Sequence, residues 1–292
     1  MNYFRIIILF LTSVSLYAQN DAEDLLNQLT ENQTDFTSAT FKASRVILGH
    51  SIEQPDAGEL EFRISHRFGE INGGAYELWG LDQAWIHFSL EYSPIDRLTV
   101  GLGRSNYRKT YDGYLKYALI KQQKGKKNIP VSVSLMTSAE YVSEKNDIEN
   151  YNNIHRWNYV TQALIASKIN KRLSLQISPT YVHRNLVDTK SMSNDIFSAG
   201  LGGRFKITNR LSINAEYFWV NDLTSPENIT YYPPLSIGID LETGGHVFQI
   251  MVSNSLPMRE AAFITETTGN WADGGVHLGF NISRMFNVVN SK

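Results

Sequence analysis

Seven histidines and no cysteine bound the side-chain chemistry open to this 292-residue chain. Without thiols there are no disulfides, no thiolate metal sites, no cysteine nucleophile and no cysteine-linked lipid anchor. The histidines do not cluster in sequence. No His-Glu-x-x-His or similar metal spacing occurs, so neither a metal nor any other cofactor is expected. His87-Phe88-Ser89 has the spacing of a base and a nucleophile. A lipid hydrolase built on a barrel would need such a pair on the lipid face with an Asn beside it. Parity argues against that. Phe88 belongs to an apolar face, so His87 and Ser89 point the other way, where the next segment offers only Thr99, Gly101 and Gly103. His246, after Gly244-Gly245, reads as an ordinary strand residue beyond a tight hairpin. The G-x-G within Val100–Arg104 lies inside a strand pattern rather than ahead of a helix, so it is no nucleotide loop. Asn228-Ile229-Thr230 matches a glycosylation sequon, a match that is common by chance.

The elements that would carry these residues are legible from composition and period. Net charge is -2, which gives no basic field for nucleic acid. The chain is 42% hydrophobic, yet its mean hydropathy is only -0.26, as expected when alternate residues are greasy. Met1–Ala18 begins with Arg5, continues through Ile6–Leu11 and ends on Ala18, the pattern of an export signal cut at Ala18/Gln19. Its apolar run is too short to span ~30 Å of hydrocarbon. Gln19–Thr40 is a polar lead-in in which Leu25, Leu26 and Leu29 share one helical face. Phe41–Ile47 reads either as a short extra strand or as a plug segment.

From Leu60 onward the period is two. Ala84, Ile86, Phe88, Leu90 and Tyr92 alternate with Trp85, His87, Ser89 and Glu91. Leu173, Leu175, Ile177 and Tyr181 alternate with Ser174, Gln176, Ser178 and Thr180. About twelve such segments follow one another, near 58–68, 84–93, 97–105, 110–120, 129–140, 155–168, 172–183, 195–207, 210–220, 234–242, 245–254 and 274–286, each the length of a tilted membrane strand. Tight turns such as Thr243–Gly244 alternate with long loops such as Gly69–Gln83 and Ser255–Asp273. Tyr111, Trp157, Tyr159, Tyr181, Tyr217, Trp219 and Tyr231 fall near the long-loop rim, and Tyr92, Phe205 and Phe286 near the other. These features predict an all-β, transmembrane, antiparallel up-and-down barrel over 41–292, with aromatic girdles at both interfaces. The long loops either plug the lumen, cap its rim or stand outward as receptor surfaces.

The faces opposite the apolar ones supply the candidate lumen residues: Glu61, Arg63, Glu91, Arg104, Asp112, Lys116, Arg204, Glu216 and Asp240. Mixed signs fit either a network of internal salt bridges or a polar conduit that selects a solute.

Several stretches resemble an uncharacterised outer-membrane β-barrel family of Bacteroidota, a domain of unknown function. They are Val100–Ser105 through Thr110–Tyr117, Ile64–Gly69, Ser178–Asn185, Glu242–Gln249 and Asn281–Phe286. The resemblance runs from Thr40 to Phe286. It implies the barrel and supplies no catalytic or binding residue. The expected partner is the outer-membrane bilayer, with a small polar solute as cargo and no nucleic acid. The leading expectation is a pore or binding barrel. The alternative is a filled barrel that binds partners or serves structure, and a lipid hydrolase comes third.

Overall fold

The computed structural model describes residues 34–145 and 151–288. The expected export signal and the Leu25–Leu29 segment lie outside these. The described residues fall into two units. In the smaller, β1 (Asp35–Phe36) pairs antiparallel with β6 (Gln123–Lys124), and Gln123 also bridges Ile129.

In the larger unit, twelve antiparallel strands close into a barrel. They are β2 (Glu59–Glu70), β3 (Ala84–Ile95), β4 (Leu98–Ser105), β5 (Thr110–Ile120), β7 (Ser132–Val142), β8 (Trp157–Lys168), β9 (Leu173–Arg184), β10 (Asp195–Lys206), β11 (Leu211–Val220), β12 (Leu235–Thr243), β13 (His246–Ser253) and β14 (His277–Asn287). Each barrel strand pairs with its sequence neighbours. β14 pairs with β2 from His277↔Glu70 to Asn287↔Glu59, which brings both ends of the barrel to one rim. Closure is what hydrocarbon demands, because an open edge would leave a row of backbone N–H and C=O groups unsatisfied.

Local sequence explains most of this. In β9, Ser174, Gln176, Ser178 and Thr180 are buried inside, while Leu175, Ile177 and Tyr181 are exposed on the outer face. The β8–β9 ladder runs to Gln162↔Thr180 and resumes at Ile165↔Ile177. The gap falls at Pro179, which has no N–H to donate. Gly244 and Gly245 both take positive φ (48° and 92°), which the two-residue hairpin between β12 and β13 requires.

Outward aromatics gather at the long-loop rim. Trp157 stacks on Tyr159 at 6.3 Å, and Tyr181 packs on Phe197 at 5.3 Å. Tyr231 does not join them. It is only 9% exposed, because its loop folds back and the neighbouring Tyr232 N–H donates to the Thr267 carbonyl.

Candidate functional site in the barrel lumen

The inner faces of β2, β3, β5 and β7 carry Glu61, Arg63, Arg67, Glu91, Asp112, Lys116 and Glu140. Those of β10–β12 carry Arg204, Glu216 and Asp240. All are buried. Every sequence-proposed lumen residue is thus on the interior except Arg104. Arg104 shares parity with Leu98, Val100 and Leu102, and no bulge interrupts β4 there, so its side chain lies on the outer face. Its guanidinium sits 5.1 Å from the centre of the Tyr111 ring, near the long-loop rim, where a long basic side chain can reach the interface. His87 and Ser89 face inward. His87 Nε2 lies 2.7 Å from Asp112 Oδ1.

The remaining wall is apolar. Val160, Leu164 and Ala166 of β8, Val182 of β9, Ile196 of β10, Phe218 and Val220 of β11 and Met251 of β13 face the interior in one hydrophobic cluster. Sequence reasoning expected a polar lumen and missed this wall. The signal was present in β8, where Val160 and Leu164 share the parity of Gln162.

This two-faced lumen is occupied. Residues from Thr40 to Ile52 are buried within it, apart from the half-buried Lys42. Of the two readings open for Phe41–Ile47, the structure has the plug. No strand forms, and only an isolated bridge joins Arg45 to His50. Phe41, Val46, Ile47, Leu48 and Ile52 pack into the apolar wall.

An irregular segment has no ladder to satisfy its backbone, so the polar wall must do it. The Leu48 and Gly49 N–H groups donate to Glu216 Oε2 at 2.8 and 3.1 Å. Gln249 donates to the Val46 carbonyl, Asn281 to Ile47, and Gln176 to His50, at 3.1, 3.1 and 2.7 Å. Arg204 donates to the Ala39 and Thr40 carbonyls, and Lys116 Nζ to the carbonyls of Ser51 and Glu53. Side chains join in as well. Arg45 and Ser44 engage Glu91, Ser44 also meets Arg63, and Lys42 pairs with Glu242.

The loop between β13 and β14 enters from the long-loop rim. It carries α1 (Glu260–Thr265), whose Phe263 meets Phe218 edge-on at 5.0 Å. Glu260 faces Arg45 at 3.4 Å and His50 at 3.5 Å, so α1 caps the plug directly. Glu140 accepts from the Ala261 N–H at 3.1 Å. At the rim, Arg108 donates twice to Glu266, at 2.9 and 2.8 Å. That carboxylate raises the Arg108 pKa above its ordinary range, while burial pushes the neighbouring Tyr107 phenol up. The loop between β2 and β3 behaves differently. It stands outward, with Tyr76 95% exposed.

Residues 41–286 match the family model described as Membrane bound beta barrel domain (DUF5777). No curated protein matches the chain. Among solved structures, it is similar to the NanC porin at 10% identity and a TM-score of 0.48, over 79% of this chain and 100% of that one. It is similar to the COG4313 outer membrane channel of Pseudomonas putida F1 at 14% identity and a TM-score of 0.48, over 80% and 97%. The Acinetobacter baumannii outer membrane protein Omp33 follows at 9% identity and a TM-score of 0.42, over 78% and 98%. Likeness at this level carries nothing about what this barrel binds or passes.

Proposed function

The chain belongs to this family of membrane-bound β-barrels, and from that premise we propose that it is an outer-membrane barrel for small polar solutes, closed at rest by its plug. The long loops face outward in this reading, the short turns face the periplasm, and the source is a bacterium of the Bacteroidota. One observation carries it: the wall holds the plug chiefly by the plug's backbone. Glu216, Gln176, Gln249, Asn281, Arg204 and Lys116 all bind main-chain atoms. Such bonds can be exchanged for water or for solute hydroxyls when the segment shifts. Both charge signs and several amides would then line one path, the chemistry of a conduit for polar molecules. Ser134 Oγ, Ser138 Oγ and Gln162 Oε1 add buried polar atoms that meet no partner among the described residues.

The reading contains no catalytic step. His87 is engaged by Asp112, and Ser89 Oγ makes no hydrogen bond among the described residues. A second reading, a permanently filled barrel, is favoured by the apolar half of the plug. Burying side chains such as Phe41, Ile47 and Leu48 is worth about 1.5–3 kcal/mol each, so unseating them is costly.

A reversible lock separates the two. Val46 Cγ1 lies 3.3 Å from where a Gly202 Cβ would stand, which puts a cysteine pair within reach of a disulfide. The chain has no other cysteine. Oxidised V46C/G202C is expected to abolish uptake of small sugars and amino acids into proteoliposomes, with reductant restoring the wild-type rate. A folded, oxidised variant that carries solutes at the wild-type rate would refute the gated passage. If the folded wild type is silent while a folded chain lacking residues 39–53 carries solutes, the filled barrel replaces it.

A further inference from the structure

Asn228-Ile229-Thr230, the sequon with no evident role in the sequence, lies at the long-loop rim in the wall of a cavity of about 360 Å³. Three loops build it: the start of the β2–β3 connection, the β11–β12 loop and the far arm of the β13–β14 loop. We infer that this cavity is a binding site for uncharged, hydroxyl-rich saccharides of one or two rings.

The walls are braced before any ligand arrives. Asn254 Nδ2 donates to the carbonyls of Pro233 and Gly269, at 3.1 and 3.0 Å. Tyr232 N–H donates to Thr267 at 2.8 Å, and Ile71 N–H to Val276 at 2.9 Å. The chain passes so close at Gly269 that a Cβ would stand 2.2 Å from the Gly275 carbonyl oxygen and 2.4 Å from that of Asn254. Asn270 and Asp273 are spent on this frame. Asn270 accepts from Ala272 N–H and donates to Asp273, and Asp273 accepts from Gly275 N–H. Asn228 takes a left-handed backbone, φ 67°, which asparagine tolerates better than most residues.

The other polar side chains of the wall are not spent. Glu70, Asn72, Asn228, Thr230, Tyr232 and Thr268 line the cavity, and among the described residues Glu70 acts on His277 through its charge alone. Their chemistry defines the ligand. Amides and hydroxyls both donate and accept, and a carboxylate accepts from paired hydroxyls. Ile229 and the ring of Tyr232 offer apolar surface for the C–H face of a sugar. Among the described residues no Lys or Arg lines the cavity, and two carboxylates do, which disfavours anionic solutes. Among the described residues no group of three or more His, Asp or Glu could hold a metal ion, which disfavours a cation cage. The volume falls within the usual range for small-molecule sites, about 300–1,000 Å³. The site stands on the rim loops and does not rest on passage through the lumen.

The test uses the full chain in detergent on an array of neutral and acidic glycans, followed by calorimetry with the best neutral hit. Asn228→Gly removes one amide while keeping the left-handed backbone, and Thr230→Val removes one hydroxyl at constant size. Saturable binding of neutral saccharides is expected, weakened at least tenfold in the double variant. Wild-type heat-modifiable migration of that variant on a gel would show that the barrel is intact. The inference is overturned if no glycan binds, if acidic glycans bind as tightly as neutral ones, or if the double variant binds like wild type.

Discussion

Replacing Glu216 with leucine strips the plug of the acceptor for two buried N–H groups. Both Leu48 and Gly49 donate to the same carboxylate oxygen. A buried donor left without a partner costs about 1–3 kcal/mol, so the seated plug loses roughly 2–6 kcal/mol. Removing a buried carboxylate returns part of this, since its desolvation cost disappears as well. A net shift of about 2 kcal/mol would raise the open fraction of a two-state plug about 30-fold. Glu216→Gln keeps a side-chain oxygen that can accept, and should show a smaller effect. The assay is single-channel recording in planar bilayers, scoring open probability for wild type and both variants, alongside protease cleavage within residues 39–53. The expected order is Leu above Gln above wild type in both measurements. If folded Glu216→Leu matches wild type in open probability and in cleavage, the backbone bonds from Glu216 do not hold the closed state.

Three further outcomes follow from other parts of the barrel. At Gly101 a Cβ would stand 1.9 Å from the ring of buried Tyr114, so Gly101→Ala should destabilise by about 1–3 kcal/mol, read as a lower temperature for the heat-modifiable gel shift. An unshifted transition would show that Tyr114 is free to move. Arg104→Ala should leave ion selectivity unchanged, because this side chain lies on the outer face, whereas Arg63→Ala, inside beside Glu61 and Glu91, should alter plug opening. Altered ion selectivity in Arg104→Ala would place that side chain inside. In the β11–β12 loop, the hydroxyl and N–H of Thr224 both donate to Asp222 and hold its pKa below the ordinary 3.8. A depressed carboxylate stabilises above the unfolded pKa and loses that contribution as pH falls through the folded one. Protection of the Thr224 amide from hydrogen exchange should therefore hold at pH 5 and be lost only below the ordinary carboxylate value of 3.8; protection already falling at pH 5 would contradict the sign.

The strands could be read from the chain because alternation is a local property. The segment expected over 172–183 is β9 at Leu173–Arg184, and that expected over 110–120 is β5 at Thr110–Ile120. Each strand reports its own two faces without reference to any other. Even the position of Arg104 was written there, since counting in twos from Leu98 places it outside.

The contents of the lumen were not legible. Over Phe41–Ile47 the sequence left strand and plug open as alternatives, because the segment's backbone is satisfied by side chains from strands far along the chain rather than by a neighbouring ladder. Glu216 is 168 residues from Leu48, and Asn281 is 234 from Ile47. The loop after β13 gave no sign that α1 would turn inward while the loop after β2 stood out, since both are long and aromatic. Asn228 reaches Glu70 and Thr268 only once three loops are pinned together at one rim. The period of two determined the barrel by itself. What fills it, and what its rim can bind, depends on contacts between distant residues, and those exist only after the barrel has closed.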